Sequence, residues 1–269
     1  MGRIIAVANQ KGGVGKTTTC INLAASLAAT KRRVLLIDLD PQANATVGSG
    51  IDRQGVEYSS YHLLLARKPA STVVVRAEEA GYDVIPTSGD LTAAEVELMQ
   101  APSRERRLRQ ALEPLHKEYD YLLIDCPPSL NMLTLNALVA AHSVLIPMQC
   151  EYYALEGLTA LLETVEGIRS TVNPELELEG LLRTMFDPRN NLANDVSAQL
   201  IMHFGSKVYR TSIPRNVRLA EAPSHGLPAL LYDRSSRGAV AYLALAGELL
   251  RREEAQTREA EPATAQNEG

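Results

Sequence analysis

Residues 3–27, RIIAVANQKGGVGKTTTCINLAASL, constrain the fold more than any other stretch. An unbroken apolar run ends near Ala8. Three glycines follow within four positions (Gly12, Gly13 and Gly15), and a helical pattern begins at Lys16. A strand without polar alternation is one buried on both faces. Glycines directly after it let the backbone curl and point its N–H groups inward, and the start of the next helix adds partial positive charge. That combination is a cradle for an anion, with a phosphate as its natural occupant. Lys16 is placed to reach the β- and γ-phosphates of a nucleotide, Thr17 to offer its hydroxyl to Mg²⁺, and Thr18 to meet the α-phosphate region.

The same alternation continues along the chain. Strand-length runs occur at 33–40, 119–128, 143–149 and 176–186, with helical stretches such as 16–30, 134–142 and 154–172 between them. Strand–helix alternation predicts an α/β fold with a doubly wound, mainly parallel sheet flanked by helices. One domain is expected over residues 1–250. The segment 251–269 is acidic, poor in large apolar residues and expected to be disordered or frayed. Composition agrees with a globular chain: of 269 residues, 45% are hydrophobic and 22% charged. Aromatic residues make up 4%, too few for nucleic-acid binding by base stacking. Three dispersed cysteines (Cys20, Cys126, Cys150) form no C-x-x-C pair, so zinc and redox motifs are unsupported. No membrane-spanning run or signal peptide is recognisable, and a cytoplasmic location is expected.

The glycine segment departs from the usual phosphate loop, G-x-x-x-x-G-K-[ST], because residue 10 is Gln; an additional lysine, Lys11, stands beside the gap. Lys11-Gly12-Gly13-Val14-Gly15-Lys16-Thr17 resembles the deviant Walker A motif of the ParA/MinD superfamily of P-loop ATPases. The resemblance implies ATP and Mg²⁺ as ligands. It also implies an ATP-bound homodimer in which Lys11 of each protomer reaches the phosphates held by the other. Two facing triphosphates repel, and a lysine from each side offsets that only while the γ-phosphate is present, so pairing would report ATP against ADP.

Two further carboxylate segments fit this frame. Asp38 and Asp40 close the run at 33–40, at the strand edge where ligands of doubly wound folds bind. Asp40 resembles the family residue that orients the attacking water, and Asp38 is expected in the Mg²⁺ shell or in support of the loop. Asp125 ends the run YLLID, has the Walker B form, and is expected to hold Mg²⁺ through water. Ala43 stands where many relatives carry glycine, so a positive φ there would strain the backbone. The resemblance further places Met185, Phe186, Pro214 and Asn216 around the adenine.

The net charge of −5 argues against nucleic acid, but binding is local. Residues 248–269 supply −3 of it. Lys207, Arg210, Arg215 and Arg218 lie in a stretch without acids, residues 203–220, and are expected to contact DNA phosphates irrespective of sequence. Within the superfamily the chain looks like the short chromosomal ParA/Soj subgroup, which implies association with the nucleoid and a ParB/Spo0J-type partner that triggers hydrolysis. The acidic tail does not suit the lipid-bound helix of a MinD-like regulator. The cysteines do not suit a cluster-bearing reductase. A relative that positions a cargo other than DNA stays open.

Overall fold

The computed structural model describes residues 2–260. Seven strands form one sheet: β1 (Arg3–Val7), β2 (Val34–Asp38), β3 (Val75–Ala77), β4 (Tyr82–Ile85), β5 (Tyr121–Asp125), β6 (Ser143–Gln149) and β7 (Glu177–Thr184). Their order is β3-β4-β2-β5-β1-β6-β7. All neighbours run parallel except β3, which lies antiparallel to β4 at the edge.

The apolar strands divide their side chains between two cores, as the period of two requires. Ile4 and Ala6 of β1, Leu35 and Ile37 of β2, and Leu122 and Ile124 of β5 face one core. It is closed by helices that include Met132–Ala140 and Ala154–Thr171. Ile5 and Val7, Val34 and Leu36, and Tyr121 and Leu123 face the other, beneath the helices Lys16–Ala29 and Arg237–Ala260. Burial on both faces explains why these strands are unbroken apolar runs. β3 and β4 are absent from the sequence expectation. They are short, and β3 is an edge strand with Val75 and Arg76 exposed, so neither carries the long apolar signature.

The chain winds outward from β1 to β2 and returns to insert β5 between them. Val7 and Asp125 are therefore register partners, and so are Asp38 and Asp125. The loops following β1, β2 and β5 leave one sheet edge side by side.

The expected frayed segment from residue 251 is corrected over most of its described part. The last helix runs Arg237–Ala260 without a break at residue 250. Glu253 accepts hydrogen bonds from Arg3 (2.5 Å) and from the Tyr121 hydroxyl. The Arg252 guanidinium sits 3.9 Å from the centroid of the Tyr209 ring and donates to Glu248 at 2.7 Å. These charges looked like a solvated tail because their partners lie at distant strand starts. The remainder, 261–269, lies outside the described residues.

Removing the Glu253 carboxylate leaves Tyr121 and one branch of Arg3 without a partner. Glu253→Ala is expected to lower the urea-unfolding free energy by about 1–2 kcal/mol. Unchanged stability would show that the helix end contributes nothing to the fold.

Candidate nucleotide site

The loop after β1 is held from three directions. Asn9 donates its side-chain amide to the Pro147 carbonyl (2.8 Å) and accepts the Lys11 amide (2.9 Å). The Thr184 hydroxyl, at the end of β7, donates to the Val14 carbonyl at 2.7 Å, and Val14 is buried. Gly13 (φ 72°) and Gly15 (φ 89°) adopt the left-handed conformation that glycine tolerates best. A Cβ on Gly12 or Gly13 would meet nothing within 4 Å, so the loop opens onto free space. Gly15 caps the helix Lys16–Ala29 without a side-chain hydrogen bond, leaving its first N–H groups directed at the loop.

Lys16 is buried, and its ammonium donates to the Lys11 carbonyl at 3.2 Å. Burial lowers its pKa, against the pull of Asp125. Asp125 is fully buried. Its Oδ1 accepts from the Cys20 thiol at 3.6 Å, and its Oδ2 has no hydrogen-bond partner. Burial, reinforced by the charge of Asp38, holds the Asp125 pKa well above the carboxylate range.

Asp38 is engaged differently. Its Oδ2 accepts from the Thr46 amide (2.8 Å) and hydroxyl (2.7 Å), and its Oδ1 from the Asp40 amide (3.1 Å). Of the two roles expected for it, these contacts serve the loop. Burial pushes its pKa up to about 6, with the Thr46 and Asp40 donors opposing the shift. Asp40 in turn accepts the Gln42 amide at 3.0 Å, which turns the chain into Ala43. Ala43 is buried with φ 60°. The positive φ that the resemblance made conceivable is therefore present, at a cost of roughly 1–2 kcal/mol.

A cavity of about 510 Å³ joins these parts. Gly12, Gly13, Gly15, Lys16, Thr17, Thr18 and Asp40 line one end; Met185, Pro214 and Asn216 line the other. Phe186 is not among the lining residues. It packs against the core with the Arg183 guanidinium 5.3 Å from its ring centroid, while its backbone bridges to Pro214. Its ring therefore does not line the cavity, although its backbone adjoins Pro214, which does.

The family model described as an AAA domain matches residues 2–178. The chain is 53% identical to the chromosome partitioning protein ParA of Myxococcus xanthus, over 94% of this chain and 89% of that one. It is also 53% identical to the sporulation initiation inhibitor protein Soj of Bacillus subtilis, covering 93% and 98%. Among solved structures, a Mycobacterium smegmatis protein named cobyrinic acid a,c-diamide synthase, with bound ATP analogue and magnesium, superposes with a TM-score of 0.83. It shows 38% identity, covering 95% of this chain and 97% of that one. The chain belongs to the ParA/Soj family of deviant Walker A ATPases. Its activity is ATP hydrolysis.

The site fits the magnesium that accompanies nucleotide in that relative. A buried carboxylate oxygen without a partner, on Asp125, lies beside Thr17, and Thr17 lines the cavity. In this ParA/Soj chain the family lysine, Lys11, forms an ion pair of 2.5 Å with Glu151 of its own protomer, both side chains about half exposed. Glu151 was not legible in the sequence; it follows β6 with no motif of its own. Thr184 and Tyr242 were missed as well. Tyr242 lines the cavity and its hydroxyl shares a hydrogen bond with Thr19 at 3.1 Å.

The four expected DNA-contacting cations do not converge. Arg215 lines the nucleotide cavity. Arg218 is paired with Glu221 (2.7 Å) and Asp233 (3.4 Å). Lys207 donates to the Leu178 carbonyl at 2.8 Å, and with Arg210 it lines a separate cleft beyond the start of β7.

The raised carboxyls make a signed prediction. A buried Asp that holds its proton in the folded state loses relative stability as pH rises from about 4 toward 6, because the unfolded chain ionises first. Asp125→Asn removes one such titrating carboxyl. Without nucleotide, this variant is expected to be more stable than wild type at pH 7 by about 1–3 kcal/mol, and to show a smaller decline between pH 4 and 6. Equal or lower stability at pH 7, measured by urea unfolding, would contradict the assigned burial cost.

Proposed function

We propose that the protein is an ATP-gated switch for chromosome partitioning: a dimer forms on ATP, binds DNA without sequence preference, and comes apart on hydrolysis stimulated by a ParB/Spo0J-type partner. The observation that carries this reading is the position of Lys11. A lysine meant for its own nucleotide would point into the cavity. Lys11 instead sits half exposed at the loop, tied to Glu151, while Lys16 alone occupies the phosphate end. Lys11 is therefore available to a second copy, and giving up Glu151 costs little because the pair is open to water.

Each residue has a task in this scheme. The loop amides and Lys16 hold the β- and γ-phosphates, and Thr18 the α-phosphate region. Bound magnesium, held by Thr17 and through water by Asp125, would neutralise charge on the phosphates. Asp40 positions the attacking water, with Asp38 and Thr46 fixing its loop. Met185, Pro214 and Asn216 receive the base. Positioning and charge stabilisation are most of what phosphoryl transfer needs from a protein. The partitioning assignment also draws on identity: the relatives named for partitioning reach 53%, against 38% for the relative named as a diamide synthase.

Asp40→Ala tests the switch. With ATP and magnesium, the variant is expected to bind nucleotide normally, to hydrolyse it at least about a hundredfold more slowly (a barrier change near 2.7 kcal/mol), and to persist as a DNA-bound dimer in a shift assay. Wild type should be retained on DNA with ATP but not with ADP. Native turnover in the variant, or equal retention of wild type with both nucleotides, would refute the scheme.

A further inference from the structure

The helix Lys16–Ala29 meets Asp125 with two side chains one turn apart. Thr17 and Cys20 are three positions apart, a spacing that puts both on one face of the helix. Thr17 lines the nucleotide cavity. Cys20 does not line it; it is fully buried in the core that contains Ile5, Val7 and Leu123. The Cys20 thiol donates to Asp125 Oδ1 at 3.6 Å. Thr17 stands close enough to lower the Asp125 pKa, yet Oδ2 has no hydrogen-bond partner. The thiol next to Asp125 in sequence turns elsewhere: Cys126 donates to the Ile124 carbonyl at 3.8 Å.

We propose that Cys20 is a positioning residue for ATP hydrolysis: its thiol holds Asp125 Oδ1 and so presents Oδ2 on the Thr17 side, where magnesium is held with nucleotide. The inference rests on the magnesium reading of Thr17 and Asp125 above and adds a residue that no motif marks. Cys20 itself touches neither metal nor nucleotide. A carboxyl group turns about its last bond in a broad two-fold well. In a buried setting with one donor, that donor selects the orientation.

A thiol suits this task. It is a weak donor without charge, so it sets the direction of the carboxylate and leaves nearly all of its negative charge for the metal. A lysine or arginine in its place would neutralise the carboxylate and compete with magnesium. An alanine would leave Oδ1 buried without a partner, as Oδ2 already is. Donor and acceptor also stand on rigid elements. Cys20 lies within a helix of 14 residues, and Asp125 ends a strand in register with both Val7 and Asp38. The fold, not a loop, fixes their separation. Outer partners of metal ligands typically contribute about ten- to a hundredfold in metal affinity, and a weak donor belongs at the lower end.

The test is the equilibrium affinity for a non-cleavable ATP analogue, measured with excess magnesium and again in EDTA, with urea unfolding to confirm that each variant folds. Wild type should bind more tightly with magnesium. Cys20→Ala is expected to lose about tenfold with magnesium and to match wild type in EDTA. Cys20→Ser keeps a donor and should recover most of the loss. Cys126→Ala removes a neighbouring buried thiol and should behave as wild type in both conditions. In turnover, Cys20→Ala should raise the KM for magnesium and keep kcat when magnesium is saturating. A second readout needs no change at Cys20. In Cys126→Ala/Cys150→Ala, the remaining S–H stretching band in the infrared should lie below that of a free thiol and move up when Asp125→Ala is added. A band at the free-thiol position would overturn the proposal. So would a Cys20→Ala variant that loses affinity equally with and without magnesium, which is the mark of a packing role alone. If Cys20→Ala gains as much from magnesium as wild type while Asp125→Ala gains nothing, the proposal falls and the magnesium reading stands. If Asp125→Ala also gains as much as wild type, both fall.

Discussion

Three aspartates and one lysine meet at the edge of the sheet, and the imbalance between them governs the site. Asp38, Asp40 and Asp125 are all buried there, and Lys16 is the cation drawn in among them. Burial strains both signs, raising the Asp38 and Asp125 pKa values and lowering that of Lys16. A triphosphate adds more negative charge to a place already short of positive charge. The edge therefore suits magnesium at Asp125, and a lysine from elsewhere. The sheet enforces the imbalance, since the register pairs Asp38 with Asp125 across adjacent strands.

The surrounding contacts fix this arrangement within the protomer. Lys16 is parked on the Lys11 carbonyl, and Lys11 on Glu151. Asp38 uses both oxygens on the loop that carries Asp40, and Ala43 holds a left-handed turn that glycine would adopt without strain. The strain sits on the loop that carries Asp40, the residue proposed to position the attacking water.

The long parallel strands, the glycine loop and the Walker B aspartate were legible because each depends on local chemistry: unbroken apolar runs, backbone freedom, and an acid at a strand end. Ala43 was marked by the resemblance, since many relatives carry glycine there and a positive φ strains an alanine. What escaped was non-local. Thr184 and Val14 are 170 residues apart. Glu151 gains meaning only when β6 is placed beside β1. The helical state of residues 251–258 depends on Arg3, Tyr121 and Tyr209, which no window around the tail contains. The basic stretch near 203–220 divides in space: Lys207 and Arg215 lie in different clefts. The ring of Phe186 turns to the core while its backbone reaches Pro214, a division that only the folded chain shows.

Sedimentation equilibrium of wild type and Lys11→Ala, each with a non-cleavable ATP analogue and magnesium, tests the central claim most directly. Wild type is expected to be dimeric with the analogue and monomeric with ADP. Lys11→Ala should bind the analogue yet stay monomeric. A wild type that remains single across a wide range of protein concentration, or a Lys11→Ala variant that pairs as strongly as wild type, would contradict the role given to that lysine.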